Sequence, residues 1–186
     1  MKKSAIGVSG VVLVFSLVAF AGNQQVIKVA PRVSVVSGVS PSACDGVDGN
    51  LVANCGFETG DFTGWTQSGD LSFTSVEIGS PVAHTGSYGG RFGPVNDLGF
   101  ITQVLATAAG GTYNLTFWLR NANSPNEFVV IWDGTVIFDQ TTKPDFDYML
   151  VEFDGLPASM DGTQLDFGFY NLPDYFYIDD IVVVPN

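Results

Sequence analysis

Thr112-Tyr113-Asn114-Leu115-Thr116-Phe117-Trp118-Leu119-Arg120-Asn121 alternates apolar and polar side chains almost without a break. In an extended chain successive side chains point to opposite faces, so Tyr113, Leu115, Phe117 and Leu119 share one side and Asn114, Thr116, Trp118 and Arg120 the other. The apolar set is core and the polar set faces outward. The same rule places Leu165, Phe167 and Phe169 on one side of the run Gln164 to Tyr170, with Gln164, Asp166 and Tyr170 opposite. Phe128, Val130 and Trp132 form a third inward set, which makes Trp132 structural and Trp118 not.

Outward from that stretch, no segment after Leu51 keeps a helical period, whereas short runs of Val, Ile, Phe, Tyr and Thr recur between Gly, Asn, Asp and Pro clusters. Strands are expected at Leu71–Ile78, Tyr88–Phe92, Phe100–Thr107, Thr112–Asn121, Glu127–Trp132, Thr135–Thr141, Tyr148–Phe153, Gln164–Tyr170 and Phe176–Val184. Asp133-Gly134 reads as a tight hairpin, because both positions of such a turn need positive φ. Many strands on short turns predict an all-β, two-sheet sandwich.

Another stretch, Asn50 to Trp65, predicts a compact knot: Gly56, Gly60 and Gly64 permit close turns while Phe57, Phe62 and Trp65 supply anchoring mass. Glu58 sits between those anchors. A carboxylate among buried aromatics must be hydrogen-bonded, paired or bound to a metal, since a lone buried charge is prohibitively costly.

The 186 residues suffice for one domain and an appendage. Lys2 and Lys3, the apolar run Val11 to Phe20 and the small residues around Ala21 read as a secretory signal cleaved after Ala21, residues 1–21. Residues 22–43, with Pro31 and Pro41 and no acid, read as a linker, and the domain is expected over 44–186. Without the signal, Lys28, Arg32, Arg91, Arg120 and Lys143 stand against 19 acidic residues, a charge of −14. Such a surface repels nucleic-acid phosphates and anionic membranes. Export also puts Cys44 and Cys55 where disulfides persist, and the two are expected to pair; a zinc site would lack soft ligands.

For function, a flat ring beside small polar groups suits the apolar face of a sugar. Trp118 with Arg120, Asn114 and Thr116 is the expected carbohydrate patch, completed by Tyr170, Asp166 and Gln164 if their strand joins the same sheet; the alternative is that the linker or a loop covers Trp118, or that it is surface packing with Arg120 stacked upon it. Catalysis is not expected. His84 is the only histidine, and no nucleophile elbow, phosphate loop or paired-histidine zinc motif occurs.

The runs Asn54-Cys55-Gly56-Phe57-Glu58-Thr59-Gly60-Asp61-Phe62-Thr63-Gly64-Trp65, His84 to Tyr88, Gly110 to Trp118 and Tyr177 to Val183 together resemble bacterial extracellular galactose-binding-like jelly-roll modules. That group includes cellulose- and xylan-binding modules and the domains of PEP-CTERM-type exosortase substrates. The latter's sorting tail is not seen at Val184-Pro185-Asn186. The resemblance implies a secreted or cell-surface, non-catalytic module that binds a polysaccharide. It also implies a structural calcium ion on Glu58 and Asp179, with Asp180 as a further partner and carbonyls from the His84–Tyr88 turn. The other reading is a structural or adhesive protein of the cell surface or matrix with no specific sugar ligand.

Overall fold

The structure, a computed structural model, describes residues 40–186. The expected signal segment and nearly all of the expected linker lie outside the described residues. The chain forms ten strands: β1 (Thr66–Gly69), β2 (Ser75–Ile78), β3 (Tyr88–Phe92), β4 (Gly99–Leu105), β5 (Thr112–Asn121), β6 (Asn126–Trp132), β7 (Thr135–Thr141), β8 (Phe146–Pro157), β9 (Thr163–Asn171) and β10 (Phe176–Pro185). They make two antiparallel five-stranded sheets, a front sheet in the order β1-β4-β9-β6-β7 and a back sheet in the order β2-β3-β10-β5-β8. The jelly-roll sandwich expected from the alternation is the fold observed.

Alternation explains how the layers close. Leu115 and Phe117 of β5, Ile178 of β10, and Phe167 and Phe169 of β9 are all inaccessible to water. Phe117 meets Phe167 edge-on across the two sheets at 5.0 Å. Trp132 is buried as expected, and its indole N–H donates to the Pro157 carbonyl at 2.7 Å, which satisfies the one polar atom it brings inside. At the β6–β7 turn Asp133 and Gly134 have φ of 51° and 74°, as the hairpin reading requires.

Several strands differ from expectation, two of them for identifiable reasons. β1 was not foreseen, since Thr66-Gln67-Ser68-Gly69 is an exposed edge strand with no apolar face to reveal it. The strand expected from Leu71 begins only at Ser75, because Phe73 turns the chain with φ 52°. β8 runs on to Pro157, well past Phe153.

The knot forms as well. Phe57 is fully buried, edge-on to Phe62 and stacked with Trp65 at 6.1 Å. Cys44 and Cys55 are disulfide-bonded, with Cα atoms 6.1 Å apart. The domain starts before Cys44, however: Ser42, placed with the linker above, is 3% exposed and donates its hydroxyl to Asp180. Closing an 11-residue separation removes unfolded-chain entropy worth about 3 kcal/mol. Replacing both cysteines by serine is expected to lower the unfolding free energy by roughly that amount, measured by urea denaturation of the oxidised protein and the double variant.

Candidate functional site

The strongest electrostatic feature lies where β10 breaks register. β10 pairs Asp179 with Trp118 of β5, then slips so that Val182 faces Thr116, and in the bulge Asp180 takes φ 50°. Both aspartates are buried, at 0% and 4% exposure. Asp179 accepts the backbone N–H groups of His84 (2.7 Å), Thr85 (3.1 Å) and Asp180 (2.8 Å). Asp180 accepts the Ser42 and Thr85 hydroxyls and the Cys44 N–H, and its other oxygen faces His84 Nδ1 at 2.7 Å. A carboxylate offers only acceptors here, so the imidazole donates.

Glu58 joins the same turn. Its Oε1 accepts the N–H groups of Ser87 (2.8 Å) and Tyr88 (3.1 Å), while Oε2 is buried with no partner among the described residues. Gly86 makes this approach possible: a Cβ there would stand 2.1 Å from Glu58 Oε1, and its φ of +69° also favours glycine. The expected ligand set Glu58, Asp179 and Asp180 is therefore brought onto one turn. The His84–Tyr88 backbone, expected to offer carbonyls, instead presents N–H donors to two of those carboxylates. The three are not gathered into a ready cage, because among the described residues only Cys44, Asp45 and Cys55 offer ligand atoms all within 4.8 Å, and those sulfurs are spent in the disulfide. Arg91 does not reach the pair and binds Glu77 at 2.6 Å.

Burial, and then the neighbouring Asp180, push the Asp179 carboxyl up to about 8. For Asp180 burial is the largest influence and acts upward. The hydrogen bonds from Ser42, His84, Thr85 and Cys44 together outweigh it and hold that carboxyl below its ordinary value.

The same turn decides what becomes of the back sheet's outer face. Asn114, Thr116, Trp118 and Arg120 do point outward on β5 and are half-buried. Trp118 is not a free platform, because the His84 ring stacks on it at 3.9 Å and 18°. Tyr148 closes the flank, donating its hydroxyl to the Val82 carbonyl. Arg120 lies 5.0 Å over the Tyr177 ring and 3.4 Å from Asp147. Asn114 is engaged too, accepting the Gly155 N–H.

Gln164, Asp166 and Tyr170 correct the expected patch. Their strand, β9, pairs with β4 and β6 in the front sheet, so they share no face with Trp118. On the front sheet's outer face Asp166, 7% exposed, accepts the Thr102 hydroxyl (2.6 Å) and the Gln164 amide (2.9 Å). Tyr170 stands opposite Glu127 of β6 and, with Asn96, Asp97 and Leu98, lines a cavity of about 450 Å³. Phe100 of β4 pairs with Gly168, where a Cβ would lie 2.5 Å from the Phe100 ring. Glycine is what lets that ring lie against the strand. Phe100, Glu127, Asn96 and Asp97 were missed from sequence. The available signal was Gly168, the one gap in the outward series Gln164, Asp166, Gly168, Tyr170.

A mostly apolar groove of about 490 Å³ also lies along β8, lined by Phe138, Phe146, Met149 and Leu150 among others. It offers few polar groups to orient a hydroxyl-rich ligand.

No protein-family model and no curated protein matches this chain. Solved structures do. A family 61 carbohydrate-binding module in complex with beta-1,4-galactotriose superposes with TM-score 0.60 at 20% identity, covering 74% of this chain and 99% of that one. A xylan-binding domain of family 22 gives 0.53 at 16% identity (75% and 97%), and a family 16 carbohydrate-binding module 0.51 at 21% (73% and 99%). The chain thus has the jelly-roll fold of carbohydrate-binding modules. The likeness to exosortase substrates is not carried by these structures.

The raised Asp179 carboxyl sets a sign for pH dependence. Its folded value exceeds the unfolded value of 3.8, so its contribution to stability is fully present below about pH 4 and is lost as pH rises through about 8. In chelator, the thermal midpoint is expected to fall across that window, and Asp179→Asn to flatten the fall; a midpoint flat in the unmodified protein would contradict the assignment.

Proposed function

We propose that this chain is a secreted, non-catalytic carbohydrate-binding module whose ligand lies on the outer face of the front sheet around Tyr170. The observation that carries the reading is the contrast between the two faces. On the front sheet, the half-buried Tyr170 stands beside an open cavity with Asn96, Asp97 and Glu127 around it. On the back sheet, Trp118 is capped by His84. An exposed ring can cover the apolar face of a pyranose, while the side chains around it pair with hydroxyls. The galactotriose and xylan ligands of the similar modules support the same class of partner.

Other observations fit. The Ser42 and Thr85 hydroxyls donate to Asp180 and not to His84, so the histidine activates neither as a nucleophile. The disulfide suits an oxidising compartment, and among the described residues no helix is long and apolar enough to cross a membrane. The reading as an adhesive or matrix protein without a sugar ligand gains no specific observation.

The proposal includes a structural calcium ion at the carboxylate cluster. Among the described residues Glu58 Oε2 is buried and unpartnered, and Asp179 and Asp180 are adjacent carboxylates with no Lys or Arg upon them, a ligand set that suits a hard cation. Bound calcium would draw in Glu58 Oε2 and the aspartate oxygens and supply the charge the cluster lacks.

Two measurements test these statements. In affinity electrophoresis through galactan, xylan and soluble cellulose gels, the unmodified protein is expected to be retarded by at least one. Tyr170→Ala should weaken that interaction about tenfold or more, with Trp118→Ala little changed; loss with Trp118→Ala alone would move the site to the back sheet. Calcium should raise the thermal midpoint of chelator-treated protein at pH 8, and Glu58→Gln should remove the increase; an unchanged midpoint counts against the ion.

A further inference from the structure

We infer that the sugar site continues over the end of the sandwich onto Phe73, which serves as an aromatic platform for a more distant ring of the same oligosaccharide. This rests on the glycan reading of the Tyr170 face. The observation behind it is that two cavities are lined by neighbouring residues of the same two segments. Asn96 to Leu98 and Tyr170 line the cavity on the front face. The next residues along the same two segments, Val95 on one side and Leu172 to Tyr175 on the other, line a further cavity of about 210 Å³ together with Phe73.

Phe73 is unusual in two independent respects. It is 61% exposed, whereas Phe57, Phe92, Phe117, Phe128, Phe167 and Phe169 are essentially buried. It also occupies the third place of a turn closed by the Thr74 N–H on the Leu71 carbonyl at 3.3 Å, with φ 52°. That place favours Gly or Asn, which reach positive φ without strain. Neither core packing nor turn chemistry asks for phenylalanine there. Leu172, 42% exposed, adds apolar surface, and Asp174 supplies an acceptor.

A rigid link joins the two hollows. Asp70 accepts the Ser72 N–H (2.8 Å) beside Phe73 on one oxygen, and the N–H groups of Val95 (3.1 Å) and Asn96 (2.9 Å) on the other. Those bonds hold its carboxyl well below the usual range, so the link persists through neutral and mildly acid pH. Its own N–H donates to Leu98, and a Cβ on Gly99 would lie 2.0 Å from the Asp70 carbonyl. The turn that carries Phe73 and the start of the Asn96–Leu98 wall are therefore tied together through Asp70 before any ligand arrives.

The occupant is a sugar chain, since the hollow at Phe73 presents an aromatic face, an aliphatic wall and a single carboxylate, on the same two segments as the more polar hollow at Tyr170, whose amide and two carboxylates suit hydroxyls. A short oligosaccharide fills the Tyr170 side alone, and a longer one reaches Phe73.

The test is titration calorimetry with β-1,4-linked galacto-, xylo- and cello-oligosaccharides from the disaccharide upward. Phe73→Ala should leave the shortest bound ligand unaffected and weaken the longest about tenfold, while Phe73→Trp restores the length dependence. Phe73→Gly suits the positive φ and provides another ring-less variant should alanine disturb the turn. Tyr170→Ala should weaken every length. Ring-less variants that bind all lengths as the unmodified protein does, or lose equally at every length, would overturn the Phe73 platform while leaving the Tyr170 site standing. If the unmodified protein binds no chain of any length, the glycan reading fails, and the platform with it.

Discussion

Two neighbouring carboxylates withdrawn from water in a central strand are the constraint to which the rest of this domain answers. Burying charge without partners is prohibitive, so Asp179 and Asp180 oblige other parts of the chain to bring donors. Ser42 and Cys44 bring them from the start of the domain, and His84 and Thr85 from the β2–β3 connection. Once His84 is drawn onto Asp180, its ring comes to rest on Trp118, and Val82 is held by Tyr148. The need to solvate two acids internally is what closes one face of the sandwich.

The remaining chemistry is sorted by that closure. Among the described residues three basic side chains face 19 acids. Arg91 and Arg120 sit on the back sheet, on β3 and β5, where they lie against Tyr175 and Tyr177 and pair with Glu77 and Asp147. Lys143 stands in the β7–β8 connection. The front face keeps tyrosine, phenylalanine, amides and carboxylates, with no Lys or Arg among the described residues of its strands. On that face Thr102 and Gln164 are both held on the Asp166 carboxylate.

Local physics was legible in the sequence and partner choice was not. The faces of Thr112–Asn121, the burial of Trp132, the Asp133–Gly134 hairpin and the knot of Phe57, Phe62 and Trp65 follow from periodicity, φ requirements and ring size, all short-range properties. The meeting of Glu58, Asp179 and Asp180 on one turn came from family resemblance. By contrast, β5 and β9 carry the same alternation, and nothing within either strand says that they belong to different sheets. Trp118 and Tyr170 consequently read as one patch, though the topology sets them on opposite sides. Long-range contacts were equally silent: a histidine many residues from Trp118 covers it because of an acid still further along. The turn at His84 offered N–H groups and not carbonyls for the same reason, since carboxylates already present there demanded donors. Phe73 escaped notice because a lone phenylalanine in an expected strand reads as core.

The position of β10 has one more consequence, for the order of events during synthesis. The last strand to be made is the middle strand of the back sheet, flanked by β3 and β5, and it carries the acids that recruit Ser42 across a separation of 138 residues. Contacts so distant along the chain cannot form until β10 has left the ribosome, and pairings of this kind are slow to form. The back sheet therefore closes only after every other strand of the domain has been made, whereas the front sheet, which β10 does not enter, does not wait for it.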